Sequence, residues 1–217
     1  MAELKPNLLQ IMNGLIGEVR FGKAALRIAI GLNYADPDAW AVAPLFFGLS
    51  RQANLEVAQM YAAKLCDKPT KKKTPVTIRT LLNLAKKQPM LFTKGSHAEV
   101  IEAANKCWKI ISGLKVPLAS IEKRRHESLA HLDANSVMNP GQLKHTAPLT
   151  LADLEKIFEG TEEILRSMDR FFTGLVGEII FLEQDDYRAV LRIAADAKRS
   201  ATRSASPKQP RPTAESE

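Results

Sequence analysis

The 217-residue sequence predicts an all-α protein, and three observations lead to that prediction. Apolar residues recur in steps of three and four over long stretches, which is the period of one helix face. Capping-box patterns begin at Ser96 and Thr150, and such patterns are typical of helix starts. No stretch alternates apolar and polar residues between turn dipeptides, as strands would. We therefore expect a bundle of helices whose apolar stripes form one core.

The first half of the chain is predicted to hold three helices. Pro37 follows Asp36, and Pro75 follows Thr74. Both pairs fit an N-cap residue with proline at the first helical position. An apolar stripe then runs along the second helix, and we expect it to face the core. Its members are Leu45, Phe46, Leu49, Ala53, Val57, Met60, Tyr61 and Leu65.

The second half continues the same pattern. Apolar residues follow Ser96 from Val100 to Leu114, and they follow Thr150 from Leu151 to Met168, again in steps of three and four. The two stretches predict amphipathic helices that each bury one face. The predicted helices lie near residues 7–32, 37–66, 75–88, 97–115, 118–134, 151–174 and 177–197.

The net charge of +7 is concentrated in two places. Residues 64–94 hold nine basic residues and one acid, Asp67, and residues 197–217 carry a further net charge of +3. The rest of the chain is therefore acidic. The C-terminal stretch has no large apolar residue, so burial cannot offset the entropy of ordering it. We expect one helical domain over residues 1–196 and a disordered basic tail over residues 197–217, with both basic segments suited to a polyanion.

Several classes of protein are excluded or disfavoured. Two cysteines, Cys66 and Cys107, are too few for a disulfide scaffold or a four-cysteine zinc site, and we expect both to be buried, inert thiols. The N-terminus lacks the basic and apolar regions of a signal peptide. The most apolar stretch, residues 171–182, is about half the length that spans a bilayer and contains Glu178. The sequence predicts a cytoplasmic protein without a membrane segment.

The candidate chemistry lies between Lys123 and Asp133, where histidines, cations and carboxylates are concentrated. His126, Glu127 and His131 resemble a zinc-protease motif with one residue too many. Histidines five apart on a helix point about 140° from each other, so they cannot bind one metal ion together. The chain also has no nucleophile elbow of a serine hydrolase and no glycine-rich phosphate loop. We expect neither a metal nor another cofactor.

Metal-free cleavage of RNA remains compatible with this segment. RNA carries its own nucleophile, so the protein needs a histidine to move protons and an arginine to stabilise charge on the phosphorus. Arg124 and His131 lie within about 20° on a helix, whereas Arg125 and His131 are about 120° apart. A two-fold dimer could still bring the second pair together. The alternative is a solvated helix face on which His131 and Asp133 make local hydrogen bonds.

The segment from Arg125 to His131 resembles the Arg-x(4–6)-His signature of HEPN ribonucleases, in which a polar residue, here His126, commonly follows the arginine. Ala130-His131-Leu132-Asp133 resembles the Ala-His-x-Asp ending of the abortive-infection AbiU-type branch. Residues 51–85, with the short segment 78–82, and residues 148–154 resemble the flanking helices of that branch. The resemblance covers roughly residues 7–168.

The resemblance implies an all-α HEPN-like bundle and a homodimer whose two motifs line one cleft. It also implies metal-independent endoribonuclease activity in phage defence or as a toxin, with a cognate antitoxin as a partner. Arg125 and His131 would be catalytic, and His126 would orient or bind phosphate. Lys123, Arg124 and Asp133 would contribute to binding of the RNA. With six intervening residues, Arg124 also satisfies the signature.

Three functional hypotheses follow from the sequence. The first is a dimeric, metal-independent ribonuclease. The second is a HEPN-type module that binds RNA or a protein without cutting, because proteins with this fold need not be active. The third is a bundle whose helices serve only dimerisation.

Overall fold

The computed structural model describes residues 8–68, 75–125, 147–172 and 186–205. These residues form eight α-helices and one short 3₁₀ turn, Pro89–Leu91, and they contain no strand. The predicted all-α fold is confirmed. The helices are α1 Leu8–Asn33, α2 Pro37–Val42, α3 Pro44–Cys66, α4 Ile78–Lys87, α5 His97–Gly113, α6 Lys115–Arg124, α7 Leu151–Asp169 and α8 Asp186–Ala205.

The core forms where α1, α3, α4, α5 and α7 pack together. Fully buried side chains come from several helices, among them Leu15 on α1, Leu81 on α4 and Phe158 on α7. Lys23 on α1 also forms an ion pair with the buried Glu162 of α7, at 2.6 Å. Among the described residues, no helix has the length and apolar character that a membrane span requires.

Both predicted capping boxes are confirmed. The Ser96 hydroxyl accepts from the backbone N–H of Glu99, and the Glu99 carboxylate accepts from the backbone N–H of Ser96 at 2.7 Å. Thr150 and Asp153 make the same reciprocal pair at the start of α7. Hydrogen bonds donated by Ser96 and Thr150 lower the pKa of the Glu99 and Asp153 carboxyl groups. The cap at Asp36 is confirmed as well, because its carboxylate accepts from the Asp38 N–H.

The predicted second helix is two helices. Pro44 ends α2, because a proline disfavours helical geometry in the residue before it, and Ala43 adopts φ −151° and ψ 68°. The predicted cap at Thr74 is displaced to Thr77, whose hydroxyl accepts from the Thr80 N–H at 3.2 Å. The helix predicted over residues 118–134 already begins at Lys115, and residues 126–134 lie outside the described part of the chain.

The apolar stripe of the second predicted helix faces the core only in part. Leu45, Phe46 and Leu49 are between 61% and 75% exposed, and Ala53 and Met60 are exposed as well, so the prediction that these five side chains are buried was wrong. Phe47 is the buried residue of this turn and contacts Trp40. Apolar residues occupy more than one face of α3, and their spacing therefore could not indicate which face has a neighbouring helix.

The C-terminal helix packs on α2 and extends further than predicted. The sequence placed the start of the tail at residue 197, whereas α8 continues to Ala205; residues 206–217 lie outside the described part. Arg199 pairs with Asp36 and donates to Asp38 at 3.1 Å, and these contacts raise the pKa of its guanidinium. The Tyr187 ring lies against Gly31 so closely that a Cβ there would collide with it.

Arg199→Gln is expected to loosen α8 without unfolding the bundle, because it removes the ionic contacts that join α8 to α2. Amide exchange over residues 186–205 should accelerate, and exchange in α1 and α7 should not change. The wild-type α8 should show the same acceleration at high salt, which screens exposed ion pairs. Arg203→Gln, on the same helix, is the matched control. Equal protection of α8 in the Arg199→Gln variant and the wild type would contradict this anchoring role.

Candidate functional site

The two arginines of the predicted motif lie at the end of α6 and point to different partners. Arg124 is in the last turn, and Arg125 caps the helix with α-helical backbone angles. The Arg124 Nε donates to the carbonyl oxygen of Ala147 at 2.8 Å, and the Arg125 Nη1 donates to Oδ2 of Asp67 at 2.8 Å. Arg124 thus joins α6 to the segment before α7, and Arg125 joins it to the end of α3.

Burial distinguishes the two side chains further. Desolvation lowers the pKa of the Arg124 guanidinium, which nevertheless stays charged near neutral pH. Arg125 and its partner Asp67 keep 29% and 34% of their side-chain surface exposed. Solvent therefore weakens the pair, and a phosphate could compete with Asp67 for the guanidinium. Arg125 also lines a cavity at the end of α6, whereas Arg124 is not among the residues that line it.

Arg125 lines a cavity of about 370 Å³ between the end of α3 and helices α4, α5 and α6. Four cationic and two acidic side chains line it. Lys68 forms an ion pair with Glu122 at 2.6 Å, and Asp67 forms an ion pair with Arg125. Within the described residues, the remaining two cations, Arg79 and Lys115, have no carboxylate partner. The cavity therefore carries an excess of positive charge. The charged lining residues are Asp67, Lys68, Arg79, Lys115, Glu122 and Arg125.

Arg79 is held in the cavity wall by two contacts. Its Nε donates to the carbonyl oxygen of Cys66 at 3.2 Å, and its guanidinium lies over the Trp108 ring with 5.7 Å from Cζ to the ring centroid. Trp108 is half-buried on α5. The cavity wall thus contains an indole with a guanidinium over its ring.

The thiol in the cavity wall is not a nucleophile. Burial raises the pKa of Cys66 to about 12, an effect that the positive charge of Arg79 only partly opposes. Burial also raises the pKa of Cys107 on α5. Both thiols stay protonated near neutral pH, and the prediction that they are buried is confirmed.

The structure locates three of the six predicted site residues. Lys123 and Arg124 are in the last turn of α6, and Arg125 is at its end. His126, His131 and Asp133 lie outside the described residues, and the roles assigned to all six residues remain predictions. No group of three His, Cys, Asp or Glu side chains suited to a metal ion occurs in the part of the chain that the structure describes.

Sequence reasoning assigned no role to four residues of this cavity. Asp67, Arg79, Trp108 and Lys115 come from four different places in the chain, and only folding brings them to Arg125. One signal was available, because Asp67 is the single acid in the basic stretch of residues 64–94. An isolated carboxylate among nine cations indicates a specific ionic partner, which is Arg125.

Fold and site together define an all-α bundle with a cationic cavity at the end of α6. The chain belongs to the HEPN AbiU2 family, because the family model described as AbiU2 matches residues 41–190, more than half of the chain. The match includes Arg125 and the whole predicted motif, and it identifies an abortive-infection-related HEPN domain. The predicted family is confirmed. Searches of curated proteins and of solved structures gave no significant match.

Proposed function

We propose that this protein is a metal-independent endoribonuclease that acts in phage defence or as a toxin. The single observation that carries the proposal is the position of Arg125. The chain belongs to a HEPN family, and Arg125, which the proposal takes as the catalytic arginine, lines a cationic, solvent-accessible cavity where it can meet a phosphate. The proposal takes the RNA 2′-hydroxyl as the nucleophile, and the two cysteine thiols of the described residues stay protonated and do not take that role.

The proposed reaction is an internal transfer at one phosphodiester. A base removes the proton from the 2′-hydroxyl, the 2′-oxygen bonds to phosphorus, and the bond from phosphorus to the 5′-oxygen breaks. The 5′-oxygen takes up a proton, so the products are a 2′,3′-cyclic phosphate and a 5′-hydroxyl. His131 moves these protons, His126 orients the phosphate, and Arg125 stabilises the charge that develops on the phosphate oxygens.

The remaining site residues have binding roles in this proposal. Lys123 and Arg124 supply positive charge at the end of α6, and Asp133, two residues after His131, contributes to binding of the RNA. A homodimer places two copies of the motif along one cleft, so that each site is completed by the partner subunit. A toxin of this kind would need a cognate antitoxin during normal growth.

The test is RNA cleavage by the purified protein in the presence of EDTA. We expect cleavage to continue when metal ions are chelated, with cyclic phosphate at the new 3′ ends. His131→Ala should abolish it, and His97→Ala, which changes a histidine at the start of α5, should not. Loss of all cleavage in EDTA would contradict the metal-independent mechanism, and undiminished cleavage by His131→Ala would contradict the role of that residue.

One observation favours a second candidate, a HEPN-type module that binds RNA without cutting it. Asp67 already forms an ion pair with Arg125. A pair of this kind can hold two helix ends together instead of leaving the guanidinium to bind a phosphate. This candidate predicts salt-sensitive binding without turnover. Charge reversal of Lys71, Lys72 and Lys73 would then remove binding, while Arg125→Ala and His131→Ala would leave it intact.

A further inference from the structure

Part of the cavity next to Arg125 has no role in the proposed reaction. Trp108, Arg79 and Lys115 line it but are not needed for proton transfer or for charge stabilisation at phosphorus. The indole of Trp108 and the guanidinium of Arg79 are two planar groups close to each other, 5.7 Å from Cζ to the ring centroid. Unpaired nucleobases stack on aromatic rings and on guanidinium planes. The cavity wall therefore offers a surface of the kind that holds a base.

The charges at the same wall suit the phosphate of that nucleotide. Arg79 and Lys115 have no carboxylate partner within the described residues, unlike Lys68 and Arg125 in the same cavity. Lys115 also begins α6, where the helix dipole disfavours a cation, and Leu114 gives the first turn no side-chain cap. An anion bound there would offset both effects.

The size of the cavity limits the ligand. A volume of about 370 Å³ is near the lower end of the roughly 300–1,000 Å³ typical of small-ligand sites. One nucleotide is a ligand of that class, whereas a base-paired duplex cannot enter such a cavity. The volume therefore admits a single unpaired nucleotide and excludes a duplex.

We infer that the cavity is a subsite for an unpaired nucleotide of a single-stranded RNA, with its base against Trp108 and its phosphate between Arg79 and Lys115. This inference rests on the proposed function, because it places the subsite beside Arg125 and thereby makes single-stranded RNA the substrate class. A nucleotide seated there positions a neighbouring phosphodiester at Arg125. Specificity for unpaired RNA then follows from the shape of the cavity.

The fluorescence of Trp108 tests the subsite directly. The protein has two tryptophans, and Trp40 lies elsewhere, with its indole N–H donating to the carbonyl oxygen of Leu32 at 2.9 Å. Trp40→Phe therefore leaves Trp108 as the only emitter. We expect a single-stranded oligoribonucleotide to quench this emission saturably, and a duplex of the same sequence to have little effect. Unchanged emission at saturating single-stranded RNA would overturn the inference.

Affinity measurements separate stacking from general attraction. In a non-cleaving His131→Ala background, Trp108→Leu should weaken binding of single-stranded RNA by about tenfold or more, because a stacking plane is lost. Trp108→Phe should bind within a few-fold of the parent, and Trp40→Phe should bind equally well. Equal weakening for duplex and single strand would overturn the inference. If Trp108→Leu does not fold, the quenching experiment and the Phe variant decide.

Lysine variants and a free nucleotide complete the test. In a plot of log K for RNA binding against log salt concentration, Lys115→Gln should make the slope less steep by about one. Lys109 is an exposed lysine on α5, and Lys109→Gln should leave the slope unchanged. A mononucleotide that binds as tightly as the oligonucleotide would overturn the choice of an RNA strand in favour of a free nucleotide. These are binding readouts, so they remain informative if the protein proves not to cut RNA.

Discussion

Arg125→Ala is expected to reduce RNA cleavage by about 10²–10³-fold, the usual cost of removing one group that stabilises charge in a transition state. The physical reason is that Arg125, the proposed catalytic arginine, lines the cavity, while Arg124 is partly buried and donates to the carbonyl oxygen of Ala147. Arg125→Lys should recover only part of the activity, since an ammonium cannot contact two phosphate oxygens as a guanidinium does. Single-turnover cleavage at saturating RNA measures both effects.

Arg124→Ala is the matched variant and should behave differently. It leaves the Ala147 carbonyl without its charged donor, so we expect the free energy of unfolding to fall by about 1.5–3 kcal/mol. Cleavage per folded molecule should change much less than for Arg125→Ala. Arg51→Ala removes an exposed arginine of α3 and controls for the loss of one positive charge. A large loss of cleavage in Arg124→Ala with unchanged stability would assign catalysis to Arg124 instead.

The second large effect is expected in the core, at Gly22 of α1. A Cβ at this position would collide with the Phe158 ring of α7 and lie 2.9 Å from Cβ of Tyr61 on α3. Three helices meet here, and only a glycine allows this approach. Gly22→Ala should therefore lower the free energy of unfolding by about 1–3 kcal/mol, the usual cost of overpacking a core.

Gly14→Ala on the same helix is expected to have the opposite sign. A Cβ at Gly14 has no atom within 4 Å, so the change should raise the free energy of unfolding by about 0.5–1 kcal/mol through reduced backbone entropy. Urea denaturation measures both variants. Phe158→Leu should partly relieve the Gly22→Ala defect in a double-mutant cycle, because it removes the ring that collides. Additive effects of Gly22→Ala and Phe158→Leu would contradict direct contact.

Local hydrogen bonds explain which features of the fold could be predicted. The caps at Ser96 and Thr150 involve residues three apart, so their geometry depends on the adjacent chain alone. The break at Pro44 was not predicted, although it is also local and follows from the restriction on the residue before a proline. The cap at Thr77 was harder to predict, because Thr74 followed by Pro75 offered an equally suitable pattern three residues earlier.

The burial of α3 depended on contacts that the sequence does not encode locally. Leu45 and Leu49 have the same spacing as buried residues, yet they are exposed. Periodicity indicates which residues share one face of a helix, but not whether another helix packs against that face. The extension of α8 to Ala205 likewise depends on Asp36 and Asp38, about 160 residues away, which hold Arg199. Composition alone had predicted that this stretch would be unable to order.

The sequence by itself determined the helical class, the family and the motif, because helix periods, caps and motif spacing are properties of neighbouring residues. It left Arg124 and Arg125 as alternatives, since both fit the same spacing. Only the tertiary structure separated them, through Asp67, which is 58 residues from Arg125, and through the carbonyl of Ala147. Only the tertiary structure also showed that Trp108 and Arg79 line the same cavity as Arg125, because the cavity forms between helices that are distant in the sequence.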